Sequence, residues 1–567
     1  MVKNMKLKFL LIRAMLASLY IVLIFVGVFF NYNLKPSVPE EYSEDINKKL
    51  ATLVDSKGHF LVYNRKKYEA WVDLDFMKRR NKYRDLKYVL NQRFSDKELE
   101  EKKYIKWGFY DTYKEAVDDL GYLKRFSNIH TINDRIYNDL FSYSQLIGKI
   151  DKTEYGIEPY LYENNILQGK EKIKLSLDTN LQKFLYDSLN EVVKERQADG
   201  AVAIIMETKT GKIKASVSLY PWNMGYMGYI EPGSTLKPML YAIALDEQII
   251  RIDDVYTSDY AYYPVPGINF KVTESVHYGY GDLTIKEALI RSSNVIIAKV
   301  INESLKEFSN EWLYNEILKM GFGEKTGIEF KGEINGIFQS PYDWYPITPY
   351  QIAMGQGLGT TPIQLVTAFN AIVNDGYIVK PSFLQDKEIE KRLIFTPQSS
   401  KILKEWMSYI TISGTARLAY KEGLIIGGKT GTAQKAIKGE GYTDEDYYSL
   451  FAGFYPVSNP KYTIALIVDS PKDEYYGGEV AAPIVTKIFY EYEKSLGENF
   501  EYTDTLYKNI IPEFKNYRLE EAYNILMNFG YKENKIIIHG NGEKIIKQFP
   551  NSGKTINTEE YIELFTE

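Results

Sequence analysis

The sequence has no cysteine, which rules out disulfides, thiolate metal sites and a thiol nucleophile, and suits an exported protein whose stability does not depend on redox state. Histidine is nearly as scarce. His59, His130, His277 and His539 are the whole complement, and no two are spaced to hold a metal. A His-rich metal site and a serine triad with histidine as base are both disfavoured, so a serine nucleophile would need another base. Neither charge sign is in large excess. A net charge of −5 over 567 residues, with both signs interspersed, lacks the basic footprint of nucleic-acid binding, so no nucleic acid partner is expected, nor any cofactor. Long apolar runs are absent but for one. Ala14 to Phe30 is almost entirely apolar, and with Phe9 to Ile12 across Arg13 it approaches the roughly 20 residues that span a bilayer. Lys3, Lys6, Lys8 and Arg13 precede it and Glu40, Glu41, Glu44 and Asp45 follow. The positive-inside rule then puts residues 1–13 in the cytoplasm, a single-pass anchor at 14–30 in the cell membrane, and the remaining chain outside. A cleaved signal peptide would have a shorter apolar core and a small-x-small exit, whereas this run ends Gly27-Val28-Phe29-Phe30-Asn31.

What is present is enough chain for two to four domains. Residues 31–170 mix short strand patterns, Leu61-Val62-Tyr63 and Ala70-Trp71-Val72, with charged helical stretches from Met77 to Leu90 and Ser95 to Leu123, an elongated α+β segment with no motif for chemistry. From 171 to 498 an amphipathic helix over Leu181 to Val193 precedes a hairpin, Ala201 to Met206 and Ile213 to Val217. Helical patterns follow at Thr235 to Gln248, Thr284 to Leu305 and Pro362 to Asn374. Strands return at Leu424 to Gly427, Ser449 to Tyr455 and Tyr462 to Val468, before a helix near Ala482 to Lys494. Strands at both sequence ends with helices between predict an α/β domain whose antiparallel sheet joins distant segments. Falling apolar density near Asn499 to Thr505 marks a linker. A small α+β unit at 506–567 follows, with helix Leu519 to Phe529 and strands Lys535 to Ile538, Lys544 to Gln548 and Tyr561 to Phe565.

Three segments could carry chemistry. Glu231-Pro-Gly-Ser234-Thr-Leu-Lys237 places a serine at a helix mouth and a lysine three residues on, within hydrogen-bond reach on one face. The serine N–H lies among the unpaired amides of the helix start, where an oxyanion would form. Ser292-Ser293-Asn294 puts a hydroxyl and a carboxamide two apart, both facing a cleft if a turn breaks the helix there. Gly427-Gly-Lys429-Thr430-Gly431-Thr432 follows an apolar strand, and its small residues let a substrate backbone lie along the edge while lysine and hydroxyls meet an anion. Lys-Thr-Gly recurs at Lys209 and Lys325 without the flanking glycines and second threonine, and both copies read as turns.

In that order, about 60 and 140 residues apart, these segments resemble the SxxK, SxN and KTG motifs of the penicillin-binding protein and serine β-lactamase superfamily. Leu175 to Gln182, Gly355-Gln-Gly357, Gly414-Thr-Ala416 and Gly477 to Pro483 look like further landmarks of that family. Asp55-Ser-Lys-Gly58 and Gly156-Ile-Glu158 resemble the pedestal of its class B, monofunctional branch, although the usual Arg-Gly opening reads Ala51-Thr52. Ile511-Pro-Glu-Phe514, Glu521-Ala522 and Gln548 to Gly553 look like one PASTA module, a wall-peptide binder or a docking domain.

The resemblance implies a serine β-lactamase-like transpeptidase domain that cross-links peptidoglycan stem peptides, with septal or division wall synthesis favoured. Ser234 would be the nucleophile and Lys237 the favoured base, kept neutral by burial and by the charge of Lys429. Ser292 would relay a proton and Asn294 hold the substrate amide. Lys429, Thr430 and Thr432, with Gly431 between them, would hold the terminal carboxylate, and the N–H groups of Ser234 and Thr432 would form the oxyanion hole. β-Lactams are expected as covalent inhibitors, and a polytopic membrane glycan polymerase and other division proteins as partners. A D,D-carboxypeptidase, a β-lactam-hydrolysing enzyme and a wall-binding scaffold are the alternatives.

Overall fold

A computed structural model describes residues 2–37, 50–150, 152–258, 260–275, 279–421, 423–437, 441–497, 511, 514–515, 519–528, 531–551, 554 and 557–567. His277, the acidic run from Glu40 to Asp45, the linker at 499–505 and parts of the C-terminal motifs, including Pro512, Glu513 and Gly553, lie outside them. Two compact units emerge. The first comprises residues 1–52, 62–137 and 168–171, and the second 53–61, 138–167 and 172–567.

In the first unit, Val2–Leu34 form one helix, α1, across both the expected tail and the expected anchor. The side chains of Leu11 to Val26 are exposed, and those of residues 27–34 lie outside the described residues. Among the described residues no helix is long and apolar enough to cross a membrane. The two strand fragments expected at Leu61 and Ala70 are parts of a single strand, β1 (Phe60–Asp73), paired antiparallel with β2 (Tyr104–Tyr110) and β3 (Ser127–Tyr137). The helical stretch expected from Ser95 to Leu123 is therefore wrong at its centre. Tyr104-Ile-Lys-Trp-Gly-Phe-Tyr buries Ile105 and Trp107 at alternate positions against Val72 and Leu74, a period of two that packing favours over helix. Likewise Met77 to Leu90 is two helices, Leu74–Arg79 and Tyr83–Leu90, separated where Asn81 takes φ 54°.

The second unit is built on a five-stranded antiparallel sheet. Helix α2 (Thr179–Glu195) leads into the hairpin β4 (Gly200–Glu207) and β5 (Ile213–Ser218). Helices α3 (Lys237–Asp246), α4 (Asn294–Glu307) and α5 (Pro362–Val373) come next, then β6 (Gly427–Ile437), β7 (Gly441–Tyr455), β8 (Tyr462–Asp469) and α6 (Ala481–Ser495). The order is β6-β7-β8-β4-β5, so the two ends of the domain meet where β8 pairs with β4, Ile464 opposite Ile205. Every residue of β4 from Gly200 to Met206 is buried. Helices α2 and α6 pack together over the sheet, and the wholly buried α5 packs on β4, β7 and β8. The landmark residues near α2 are structural. Asp178 caps α2 by accepting from Asn180 N–H and Leu181 N–H. The buried Gln182 side chain bonds Ser216 through both its oxygen and its nitrogen, each at 2.8 Å, and Asp55 accepts from the Thr179 hydroxyl at 2.7 Å.

The strand expected at Leu424 to Gly427 begins only at Gly427. Leu424 turns back on Lys421 and the Ile426 carbonyl goes to the Thr411 hydroxyl at 2.7 Å, so the ladder starts with the glycines and contains the whole Lys429 to Thr432 segment. Of the other Lys-Thr-Gly copies, the one at Lys209 is the β4–β5 turn, and the one at Lys325 wraps the Glu333 carboxylate with the N–H groups of Thr326 and Gly327. At the C-terminus α7 (Leu519–Asn528) lies over a mixed sheet of β9 (Ile536–His539), β11 (Ile562–Thr566) and β10 (Ile545–Phe549) around Ile511, Phe514, Leu526 and Leu564.

Candidate active site

Ser234 sits on a 3₁₀ turn, Gly233–Leu236, that runs directly into α3. The turn is closed by the Thr235 hydroxyl donating to the Pro232 carbonyl and is pinned from outside by Gly233 N–H on the Gly355 carbonyl at 3.0 Å. Gly355 takes φ 77°, and a Cβ there would fall 1.9 Å from the Gly233 oxygen. Only glycine permits that approach, which gives the Gly355-Gln-Gly357 landmark its physical reason.

Lys237 opens α3 and is fully buried. Its Nζ donates to the Ser292 carbonyl at 2.7 Å and Asn294 Oδ1 at 2.6 Å, and lies 3.4 Å from Ser292 Oγ. The Ser292 and Asn294 acceptors, rather than the Ser234 hydroxyl, hold its Nζ. The helix expected from Thr284 to Leu305 is broken here. Ser292 takes φ 60° between helix Ile285–Ile290 and α4, an uncommon backbone state for a non-glycine residue, and this turns both Ser292 and Asn294 to the cleft. Lys429 Nζ donates to Ser292 Oγ at 2.9 Å and to the Thr430 carbonyl at 3.0 Å, so Ser292 hears both lysines.

Glu274 was not foreseen. Its carboxylate is 8% exposed and sits on the N-terminus of α4, accepting from the Ser293 hydroxyl, from Asn294 N–H at 2.8 Å and from Val295 N–H at 3.3 Å. It satisfies amides that a helix start leaves orphaned and fixes the segment that carries Ser292 and Asn294. Nothing in the sequence flags a glutamate about 20 residues upstream on a separate hairpin.

Burial pushes Lys237 down to about 7, with the Glu274 carboxylate pulling the other way. Burial also drives Lys429 well below the usual lysine range, and there the charge of Lys237 adds to the effect. Lys429 is fully buried beneath Thr430. The Thr430 hydroxyl bonds Thr415 Oγ1 at 2.6 Å, and Thr432 Oγ1 accepts from Gly477 N–H at 3.3 Å.

Ser234, Ser292, Asn294, Thr430, Gly431 and Thr432 line one cleft of about 380 Å³, with Lys237 and Lys429 under its floor. Arg417 and Glu479 also line it. Thr415 and Glu479 fall inside two of the landmark segments, so position, though not role, was visible. A serine on a glycine-pinned turn, a buried lysine of lowered basicity and a hydroxyl held between two lysines define a nucleophilic-serine site on an antiparallel α/β scaffold.

Residues 201–490 match the penicillin binding protein transpeptidase domain. The chain is 29% identical to stage V sporulation protein D of Bacillus subtilis over 68% of its own length and 63% of the relative's. It is 30% identical to the probable peptidoglycan D,D-transpeptidase PenA of Neisseria gonorrhoeae over 57% of each, and 32% identical to the peptidoglycan D,D-transpeptidase FtsI of Buchnera aphidicola subsp. Schizaphis graminum over 60% and 61%. It thus spans about three fifths of these curated relatives. Among solved structures, the transpeptidase domain of penicillin-binding protein 3 from Burkholderia pseudomallei is 25% identical, with a TM-score of 0.53 over 58% of this chain and 97% of that one. Penicillin-binding protein 3 from Mycobacterium tuberculosis, complexed with aztreonam, shares the fold at 19% identity and a TM-score of 0.61 over 80% and 97%. The chain belongs to the penicillin-binding protein transpeptidase family.

Proposed function

We propose that the protein is a peptidoglycan D,D-transpeptidase that cross-links stem peptides through a Ser234 acyl-enzyme. The observation that carries this reading is the buried lysine: Lys237, lowered to about 7, can be neutral at physiological pH and serve as the base for Ser234. Ser234 Oγ attacks the carbonyl between the two terminal D-alanines. Its proton passes to Lys237 and, through Ser292, to the departing amine, and an amine of a second stem then displaces Ser234. Asn294 holds the substrate amide, Thr430 and Thr432 hold the terminal carboxylate beside Gly431, and the N–H groups of Ser234 and Thr432 stabilise the oxyanion. Lys429 holds the Ser292 hydroxyl and the Thr430 carbonyl in place from beneath the cleft.

The apolar run at 14–30 and its charge asymmetry support a single-pass anchor with the catalytic unit outside the cell membrane. The printed name of one relative, stage V sporulation protein D, supports a sporulation setting, and septal or division wall synthesis is what the family resemblance favours. Residues 506–567 serve as a PASTA-type module, and a polytopic membrane glycan polymerase with other division proteins is the partner class that a monofunctional, anchored transpeptidase needs.

Intact-mass analysis of the detergent-solubilised protein with benzylpenicillin, beside Ser234→Ala, tests the reading. A stable adduct confined to the wild type supports it. An adduct that survives the substitution removes Ser234 as nucleophile, rapid loss of the adduct points to hydrolysis, and absence of any adduct overturns the acyl-enzyme.

A further inference from the structure

One charge in the cleft is unanswered among the described residues. The charged side chains that line the cleft there are Arg291, Arg417 and Glu479, while Lys237 and Lys429 lie beneath it, bonded to Ser292, Asn294 and Thr430. Arg417 is engaged, its Nε donating to the Lys515 carbonyl at 2.9 Å. Arg291 is exposed, and among the described residues its guanidinium has neither an ion pair nor a hydrogen bond. The guanidinium carbon lies 5.6 Å from the centre of the Tyr280 ring, which also lines the cleft. That contact steadies the group and leaves its charge unneutralised. Tyr280 is in turn fixed by its N–H on Ser258 Oγ at 2.9 Å. The backbone is fixed too. Arg291 N–H closes helix Ile285–Ile290 on the Glu287 carbonyl at 2.9 Å, and the next residue, Ser292, takes φ 60°, so Arg291 belongs to the same turn that presents Ser292 and Asn294.

An arginine fork left open at a substrate cleft is complementary to a planar oxyanion, which it can bond through two N–H groups. A stem peptide ending in D-Ala-D-Ala offers such groups upstream of the scissile bond: the α-carboxyl of a second-residue glutamate linked through its side chain, and the side-chain carboxyl of a third-residue diamino diacid. The terminal carboxylate is already assigned to Thr430 and Thr432 on β6, whereas Arg291 adjoins the Ser292 to Asn294 segment that holds the donor amide. The acceptor reacts through an amine that arrives as an ammonium, which an arginine repels. We infer that Arg291 is a specificity-determining residue that receives an upstream carboxylate of the donor stem, so that donors are selected by their charge before Ser234 attacks. This rests on the transpeptidase reading above.

The test measures kcat/KM for D-alanine release by the solubilised full chain from four pentapeptide donors. They differ only in whether the glutamate α-carboxyl, the third-residue side-chain carboxyl, both or neither is converted to the amide. Wild type should prefer the donor with both carboxylates over the doubly amidated one by about five-fold or more, and the singly amidated donors show which carboxyl carries the preference. Arg291→Gln should bring that ratio close to one by losing rate on the carboxylate donor alone. Arg291→Glu should invert it, a reversal that a merely structural residue would not produce. A wild type without the preference overturns the inference, as does a preference that survives in Arg291→Gln or an equal fall with all four donors. Benzylpenicillin separates this inference from the reading beneath it. A wild type that forms no adduct overturns the transpeptidase reading as well, whereas a normal adduct with no charge preference overturns this inference alone.

Discussion

Replacing Glu274 by glutamine should shift the pH dependence of acylation towards acid. Glu274 bonds the backbone of Asn294 at 2.8 Å while Lys237 bonds its side chain at 2.6 Å, so the two charges stand one residue apart, about 7 Å. At an effective dielectric constant near 20 that separation is worth about 2 kcal/mol, about one and a half pKa units. The sign follows from what each form of the lysine needs. Glu274 helps Lys237 keep its proton, so without the negative charge the lysine becomes neutral at lower pH. The neutral amine is the base, and half-maximal acylation should therefore move from near pH 7 to about pH 5.5. Glutamine retains one acceptor for the start of α4, and the loss of the second should cost about 1–2 kcal/mol, which a domain of this size tolerates. The assay is the acylation rate with a fluorescent penicillin measured across pH, normalised to each protein's own plateau. An acid limb that stays in place, or moves towards alkali, would refute the assignment of Lys237 as the titrating base and of Glu274 as its counter-charge.

Lys237→Met should abolish the penicillin adduct and, because it leaves the Ser292 carbonyl and Asn294 Oδ1 without their donor, lower the stability of the fold by about 1–3 kcal/mol. Between about 7 and the ordinary lysine value the unfolded chain holds a proton on Lys237 that the folded chain does not, so wild-type stability rises with pH across that window. The melting-temperature deficit of the variant should therefore grow as the pH rises, and a constant difference would contradict the buried-lysine account. Gly355→Ala drives a Cβ into the Gly233 carbonyl and should slow acylation by about 100-fold or more while lowering stability by about 2–4 kcal/mol. Acylation at the wild-type rate in that variant would show that the turn bearing Ser234 does not depend on this contact.

The centre of the sheet was legible because its buried strands announce themselves. Ala201 to Met206 is an unbroken apolar run and Tyr462 to Val468 one interrupted only by Thr463, and a strand buried on both faces needs that pattern. Tyr104 to Tyr110 was not legible, since aromatic residues alternating with lysine and glycine inside a charged stretch suit either structure until a partner strand decides. The motif residues were found because their order along the chain is distinctive, and the structure gathers them into one cleft. Their connections were harder to foresee. Spacing placed Lys237 beside Ser234, but which acceptor a buried ammonium chooses depends on Ser292 and Asn294, more than 50 residues away. Glu274 had no signal at all. Its role is set by the end of a helix it does not belong to, and such a partnership exists only in three dimensions.

The pairing of β8 with β4 has a consequence for how the chain comes into being. Ile205 waits for Ile464, so a vectorially synthesised polypeptide must carry β4, apolar on both faces and paired on one side only by β5, while more than 250 residues follow. Such long-range closure slows folding and leaves sticky intermediates in its path. The domain cannot assemble its sheet piecemeal from the N-terminus. The turn that carries Ser234 therefore stays without a completed sheet beside it until β8, close to the end of the domain, has been delivered.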